Sequence, residues 1–253
     1  MSRLHGTKDF WLGALRAEGP AFRTAVAEAP LDSPVPSCPD WTVLELVHHL
    51  GAVYAWVREH VVRGVTEPPA GRSDMTGRPT GDEALVWWQQ EFDALVNLLD
   101  GLDPELPAWN WAPQAKKAVF WSRRVAHETA VHRWDAQTAI VGVEPIETKL
   151  AVDGISEVLD TWLPGGRGRG PRPAYGVVHL VATDAEQEWY VRLRGEGMAL
   201  LDTDTILDSD DHHTRTVATG TASDLVLGLW GRIRFDMLEV SGDAALLDSL
   251  RTG

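Results

Sequence analysis

Arg123-Arg-Val-Ala-His-Glu-Thr-Ala-Val-His-Arg-Trp-Asp135 is the stretch whose reading decides the fold. Within it Glu128 and His132 are four residues apart. On a helix turning about 100° per residue, such positions lie about 40° apart and lean over the same turn, so both side chains can address one metal ion. His127 is five before His132, about 140° away, which separates the run from the H-E-x-x-H of zinc proteases, where Glu is a base. Here Glu128 would itself be a ligand. The same spacing also serves a surface ion pair or a satisfied core histidine, so the pair alone leaves these readings open.

A third ligand has to come from elsewhere, and His48 and His49 are the other clustered histidines of the first half. They sit in Trp41-Thr-Val-Leu-Glu-Leu-Val-His-His-Leu-Gly-Ala-Val-Tyr-Ala-Trp-Val57, which reads as a helix with Leu46, Leu50, Val53 and Val57 on one apolar stripe. His49, three after Leu46 and four before Val53, falls on that stripe. His48 lies about 100° round from it. His49 is therefore the third ligand expected, with a register ambiguity left by the doubled His.

Both segments carry a resemblance. Val35-Pro-Ser-Cys-Pro-Asp-Trp41 with Leu46-Val-His-His-Leu-Gly51, and the Arg123–Asp135 run, resemble the mycothiol-dependent maleylpyruvate isomerase family, part of the larger DinB-like group of metal-binding bundles. Gly220-Thr-Ala-Ser-Asp-Leu-Val-Leu-Gly-Leu-Trp-Gly-Arg232 and Leu238-Glu-Val-Ser-Gly-Asp243 are similar to the same family's C-terminal domain. The resemblance implies an α+β chain: a DinB-like four-helix bundle over residues 1–147, then a small α/β domain over 148–253. It implies a divalent metal, zinc by default with iron or nickel also suited, on His49, Glu128 and His132. It also implies mycothiol as the thiol cosubstrate, and an electrophilic small molecule as the other partner. Arg123, Arg124 and Arg232 are candidates for holding thiol or substrate. The family often has Gly where Asp40 stands.

Three functions follow as alternatives. A metal-activated external thiol gives isomerisation or S-transfer; metal-lowered water gives hydrolysis; a retained bundle without chemistry gives a binding or regulatory protein. Net charge of −14 argues against nucleic acid or an anionic membrane as partner. No apolar run reaches the ~18 residues of a membrane span and the N-terminus has no signal-peptide core, so a cytoplasmic location is expected. The single cysteine, Cys38, rules out an internal disulfide, and it reads as a buried small residue with no base near it in sequence.

Outward from the two segments, the pattern predicts a first helix over Lys8–Ala27 with Pro20 kinking or breaking it. The second is capped by Thr42 and Glu45 and runs to Arg63. A third is capped by Thr80 and Glu83 and ends near Gly101. The fourth covers Ser122–Ile140, closed by Gly142. Connections of roughly 15 to 20 residues around helix three are long for a bundle and are natural substrate rims. Twelve tryptophans is a heavy allotment, and Trp41, Trp56, Trp121 and Trp134 sit near the ligands in sequence. Beyond Pro145 a helix over 152–163, a Gly/Arg/Pro linker with Arg167, Arg169 and Arg172, strands over 175–182, 188–194 and 237–241, and helices over 222–232 and 244–251 are expected. Asp208-Ser-Asp-Asp-His-His213 reads as a solvated acidic loop, and Asp135 either orients His132 or faces solvent or an arginine.

Overall fold

The computed structural model describes residues 6–69, 78–140, 142–171, 173–201 and 214–253, which puts Arg172 and the acidic run 208–213 outside the described residues. The chain divides into two compact units at Glu144/Pro145. The first is a bundle of α1 (Lys8–Glu28), α2 (Val43–Val61), α3 (Asp82–Gly101) and α4 (Val119–Thr138). The second combines helices with a five-stranded sheet, so the chain is α+β.

The helices begin where their caps dictate. Thr7 accepts from the Phe10 amide to start α1. The helix runs unbroken through Pro20, which corrects the expected break. At α2 the Thr42 hydroxyl accepts from the Glu45 amide while the Glu45 carboxylate takes the Thr42 amide, the reciprocal capping box expected from the sequence. Thr80 makes no such box. The N-cap of α3 is Gly81 at φ 59°, a left-handed conformation for which Gly pays no Cβ penalty. α4 starts at Val119, three residues early, and ends at an Ala139 cap, so Gly142 lies beyond the helix and does not close it.

Cross-contacts fix the helix directions. Gly51 approaches Trp87 and Arg58 pairs with Glu91 at 2.7 Å, so α2 and α3 run parallel. Lys8 donates to the Asp100 and Leu102 carbonyls while Phe22 packs on Trp88, so α1 and α3 are antiparallel. His49 meets Glu128 and His60 meets Trp121, so α2 and α4 are antiparallel. Parallel neighbours of about 30 Å need a connection that returns along the whole bundle, which accounts for the long α2–α3 link.

The core holds Leu15, Phe22, Leu46, Leu50, Tyr54, Trp88 and Leu95. On α2 the buried stripe includes Tyr54, while Val53 is only half-buried. α4 is different: from Phe120 to Gln137 every residue but Glu128 and Trp134 is buried. A helix covered all round has no polar face to show, so its charged residues must find partners inside. Arg133 does so through Glu18 of α1, 2.6 Å from its Nε, with Gln137 and the Glu144 carbonyl taking Nη1.

In the second unit α5 (Thr148–Glu157) continues into a π-helical turn, Val158–Trp162, starting four residues before the expected helix. The sheet has the order β3-β2-β1-β4-β5, with β1 (Ala174–Ala182) and β2 (Gln187–Gly195) paired antiparallel and joined through residues 183–186. β3 (Gly197–Leu201) and β4 (Arg215–Gly220) were not anticipated; β4 pairs parallel with β1. Thr221 caps α6 (Ala222–Leu229), three residues shorter than expected. A 3-10 turn over Phe235–Met237 takes the place of the first expected strand residue before β5 (Glu239–Gly242), and α7 (Ala245–Asp248) is only four residues.

Candidate metal centre in the helical bundle

α2 and α4 bring His49, Glu128 and His132 together. The Nε2 of His49 lies 3.0 Å from Glu128 Oε1, the Nε2 of His132 lies 3.4 Å from the same oxygen, and the donor atoms of all three lie within 4.8 Å of one another. Donors bound at about 2.05 Å round a tetrahedral ion stand about 3.3 Å apart, so the two short separations are those of ligand edges. Two imidazoles and one carboxylate also match the open ligand sets of catalytic divalent ions in chemistry. His48 is turned away: its Nε2 bonds the Pro79 carbonyl at 2.7 Å and its ring meets the edge of Trp87.

Glu128 and His132 are held from behind. Arg124, one turn before Glu128 and itself buried, donates to Oε2 at 2.9 Å, leaving Oε1 to the imidazoles. Asp135 accepts from His132 Nδ1 at 2.8 Å and in turn receives the Ser37 hydroxyl at 2.7 Å. Since a carboxylate only accepts, Nδ1 carries the proton and Nε2 is the nitrogen aimed at the centre. Trp41 covers both rings, 4.8 Å from His49 and 6.1 Å from His132 between centroids. Burial alone pushes the Glu128 carboxyl up, but hydrogen bonds from His132 and His49 and the charge of Arg124 hold it well below the usual carboxylate range. Burial likewise pushes His132 down, and its bonds to Asp135, Cys38 and Glu128 more than reverse this, raising it well above ordinary histidine.

The sequence places no base near Cys38; in space its buried thiol stands beside His132, and Cys38, His132 and Asp135 form a second donor group whose atoms lie within 4.8 Å of one another. No short-range spacing announces a contact across 94 residues. The turn that carries Cys38 does have a sequence signal. Trp41 donates its amide to the Cys38 carbonyl at 3.1 Å with Pro39 second and Asp40 third at φ 71°. Pro then a positive-φ residue fits a type II turn, and Gly is the residue that turn favours third. Asp40→Gly is therefore expected to raise stability by about 1 kcal/mol, read as a higher urea midpoint at unchanged slope; a lower midpoint would refute the turn assignment.

The other arginines divide. Arg123 is buried in α4, and Arg232 belongs to the second unit, where its guanidinium donates to the Trp230 carbonyl at 3.0 Å. Arg124 is the candidate that bonds a donor residue, through Glu128 Oε2.

Further along the same α2 and α4 faces, Trp56, Trp109 and Trp121 surround His60. Burial pushes the His60 imidazole down to about 4 against a bond to the Trp56 carbonyl and with help from Arg63. A folded value below the unfolded ~6.5 means the unfolded chain binds more protons between the two. The stabilisation is complete above about pH 6.5 and is lost as pH falls toward 4, on the order of 3 kcal/mol. Urea unfolding of the protein and of His60→Phe across that window is expected to show a steeper acid loss in the native chain; parallel curves would refute it.

Fold and cluster together define a helical-bundle protein with a two-histidine, one-carboxylate donor set suited to a divalent ion. Residues 12–137 match the mycothiol maleylpyruvate isomerase N-terminal domain, and residues 149–249 match the C-terminal domain of the same family. The chain belongs to the mycothiol-dependent maleylpyruvate isomerase family. Two solved structures share the fold: a histidine-to-alanine mutant of the mycothiol-dependent maleylpyruvate isomerase (TM-score 0.64, 13% identity) and the mycothiol-dependent maleylpyruvate isomerase (TM-score 0.53, 15% identity), each alignment covering 93% of both chains. No curated protein sequence matches the chain. Among the described residues no helix is long and apolar enough to cross a membrane.

Proposed function

We propose that the chain is a metal-dependent enzyme that uses mycothiol to isomerise a small unsaturated acid of the maleylpyruvate type. The carrying observation is one carboxylate oxygen of Glu128 placed between the Nε2 atoms of His49 and His132, with the far side of Glu128 and of His132 already bonded. Membership of the family supplies the thiol and the substrate class. His49, Glu128 and His132 would hold the ion, zinc by default. Bound there, a divalent cation supplies the charge that favours thiolate over thiol at neutral pH.

The residues of the chain do the rest. Asp135 fixes the His132 tautomer, so that no proton has to leave Nδ1 for Nε2 to act as a donor. Arg124 adds its charge to the bonds that keep Glu128 ionised, and fixes the carboxylate in rotation. Trp41 shields the two imidazoles from solvent on one side. A thiolate presented to a conjugated double bond adds to one carbon and leaves an enolate. Rotation about the new single bond and expulsion of the thiolate then give the other isomer with the thiol regenerated. If the adduct is protonated in place of expelling sulfur, the same site is an S-transferase.

The test is a coupled omission assay with zinc-loaded protein, mycothiol and maleylpyruvate, followed by absorbance and mass spectrometry. Turnover that needs both thiol and metal supports isomerisation, and an accumulating thioether assigns S-transfer. Substrate unchanged with both present overturns the proposal.

A further inference from the structure

We propose that the Trp56, His60, Trp109 and Trp121 cluster is a binding site for a ring that bears a hydroxyl group, with His60 Nε2 as the hydrogen-bond acceptor. His60 is 2% exposed. Its Nδ1 lies 2.8 Å from the Trp56 carbonyl oxygen. A carbonyl only accepts, so Nδ1 carries the proton and Nε2 presents a lone pair. That lone pair meets no hydrogen-bond donor among the described residues. A buried acceptor left without a donor costs about 1–3 kcal/mol. Burial keeps the imidazole neutral near pH 7, so the site offers an acceptor, not a cation.

The surroundings name the rest of the ligand. Ring centroids of Trp56 and Trp121 lie 4.3 and 4.5 Å from His60, and that of Trp109 lies 6.0 Å from it. Trp121 is buried, whereas Trp56 and Trp109 are half-buried and so form the solvent side. Flat indole faces favour a flat or ring-shaped apolar surface, and Nε2 demands one O–H directed at it. A phenol and a sugar ring share that chemistry.

One wall differs from the others in its anchorage. Trp56, His60 and Trp121 belong to helices, while Trp109 is on the α3–α4 connection. Its backbone carbonyl accepts from Trp121 Nε1 at 2.7 Å, and the loop is closed by the Lys116 ammonium on the Asn110 and Ala112 carbonyls, both at 2.7 Å. The loop backbone is thus fixed, and the half-buried Trp109 ring, carried on a connection and not on a helix, is the wall that a ligand would displace. Along α2, Trp56 is two turns beyond His49, about 10.5 Å. A ligand anchored at His60 could therefore extend toward the donor cluster, but the site does not depend on the proposed chemistry, because its test reads binding alone.

The experiment titrates the protein, and separately Glu128→Gln, with phenol, with methyl β-glucoside and with toluene, reading tryptophan emission and the His60 Nε2 nitrogen-15 shift. Phenol or the glucoside is expected to bind at least about tenfold tighter than toluene, and to move the Nε2 resonance toward that of a hydrogen-bonded nitrogen. The response of phenol against glucoside tells which ring is preferred. His60→Phe is expected to abolish the preference and His60→Gln to retain part of it. Toluene binding as tightly as the hydroxylated probes, no binding of any of them, a preference intact in His60→Phe, or an Nε2 shift that no probe moves would each overturn the proposal. The shift is read in the native chain, so the answer does not hang on the variants folding.

Discussion

Glu128→Ala is expected to take bound zinc from about one ion per chain to near zero, with at least a hundredfold loss of any thiol-dependent turnover. Glu128 is the one carboxylate of the donor set, and its Oε1 is the atom both imidazoles share. Without it, two histidines remain, too few to hold a catalytic zinc. The substitution also strands Arg124, which is 5% exposed and spends a hydrogen bond on Oε2. Glu128→Gln is the necessary companion, since it keeps the shape and an acceptor for Arg124 while removing the charge. Elemental analysis of variants checked by circular dichroism is the measurement, with His49→Ala and His132→Ala alongside. Stoichiometric zinc persisting in folded Glu128→Ala would remove the cluster from consideration as the metal centre.

The second large effect belongs to stability. Glu18→Leu is expected to cost about 3–5 kcal/mol, because it leaves the Arg133 guanidinium, 3% exposed, without the carboxylate at its Nε. The two bonds from Nη1 to Gln137 and Glu144 survive, which places the loss toward the lower end. The double replacement Glu18→Leu with Arg133→Met removes both charges, and is expected to recover most of the loss, since an apolar pair avoids the desolvation that the ions suffer. Equilibrium unfolding in urea reads both. A single variant as stable as the native chain would show that the pair contributes nothing to the bundle.

What was legible from the chain was local. The Thr42/Glu45 box is a contact of three residues, and the structure has it. The i, i+4 spacing of Glu128 and His132 required only that α4 be a helix. His49 was chosen on a stripe that the structure draws slightly differently, through Tyr54 and not Val53, and it nevertheless stands beside Glu128. The errors share a cause as well. Ala118 gives α4 no side-chain cap, so the helix starts before any residue announces it. Gly81 takes the α3 cap because positive φ competes with the Thr80 hydroxyl, and propensity alone favoured the hydroxyl. Cys38, Ser37 and Asp135 meet His132 across the fold, and His60 meets Trp109 and Trp121, through tertiary contacts that no periodicity encodes. β3 and β4 are short strands whose pairing lies in register with partners elsewhere in the chain.

The burial of α4 on all sides has a consequence for how the protein is made. Synthesis proceeds from the N-terminus, so α1, α2 and α3 leave the ribosome before α4, the helix that packs on α1 and α2. Until residue 138 has emerged, Glu18 has no Arg133 and His49 has neither Glu128 nor His132. The donor cluster cannot exist on a nascent fragment. The three proposed ligands can therefore meet only once α4 has been made, and a chain stalled before it would expose the apolar faces that α4 covers to chaperones.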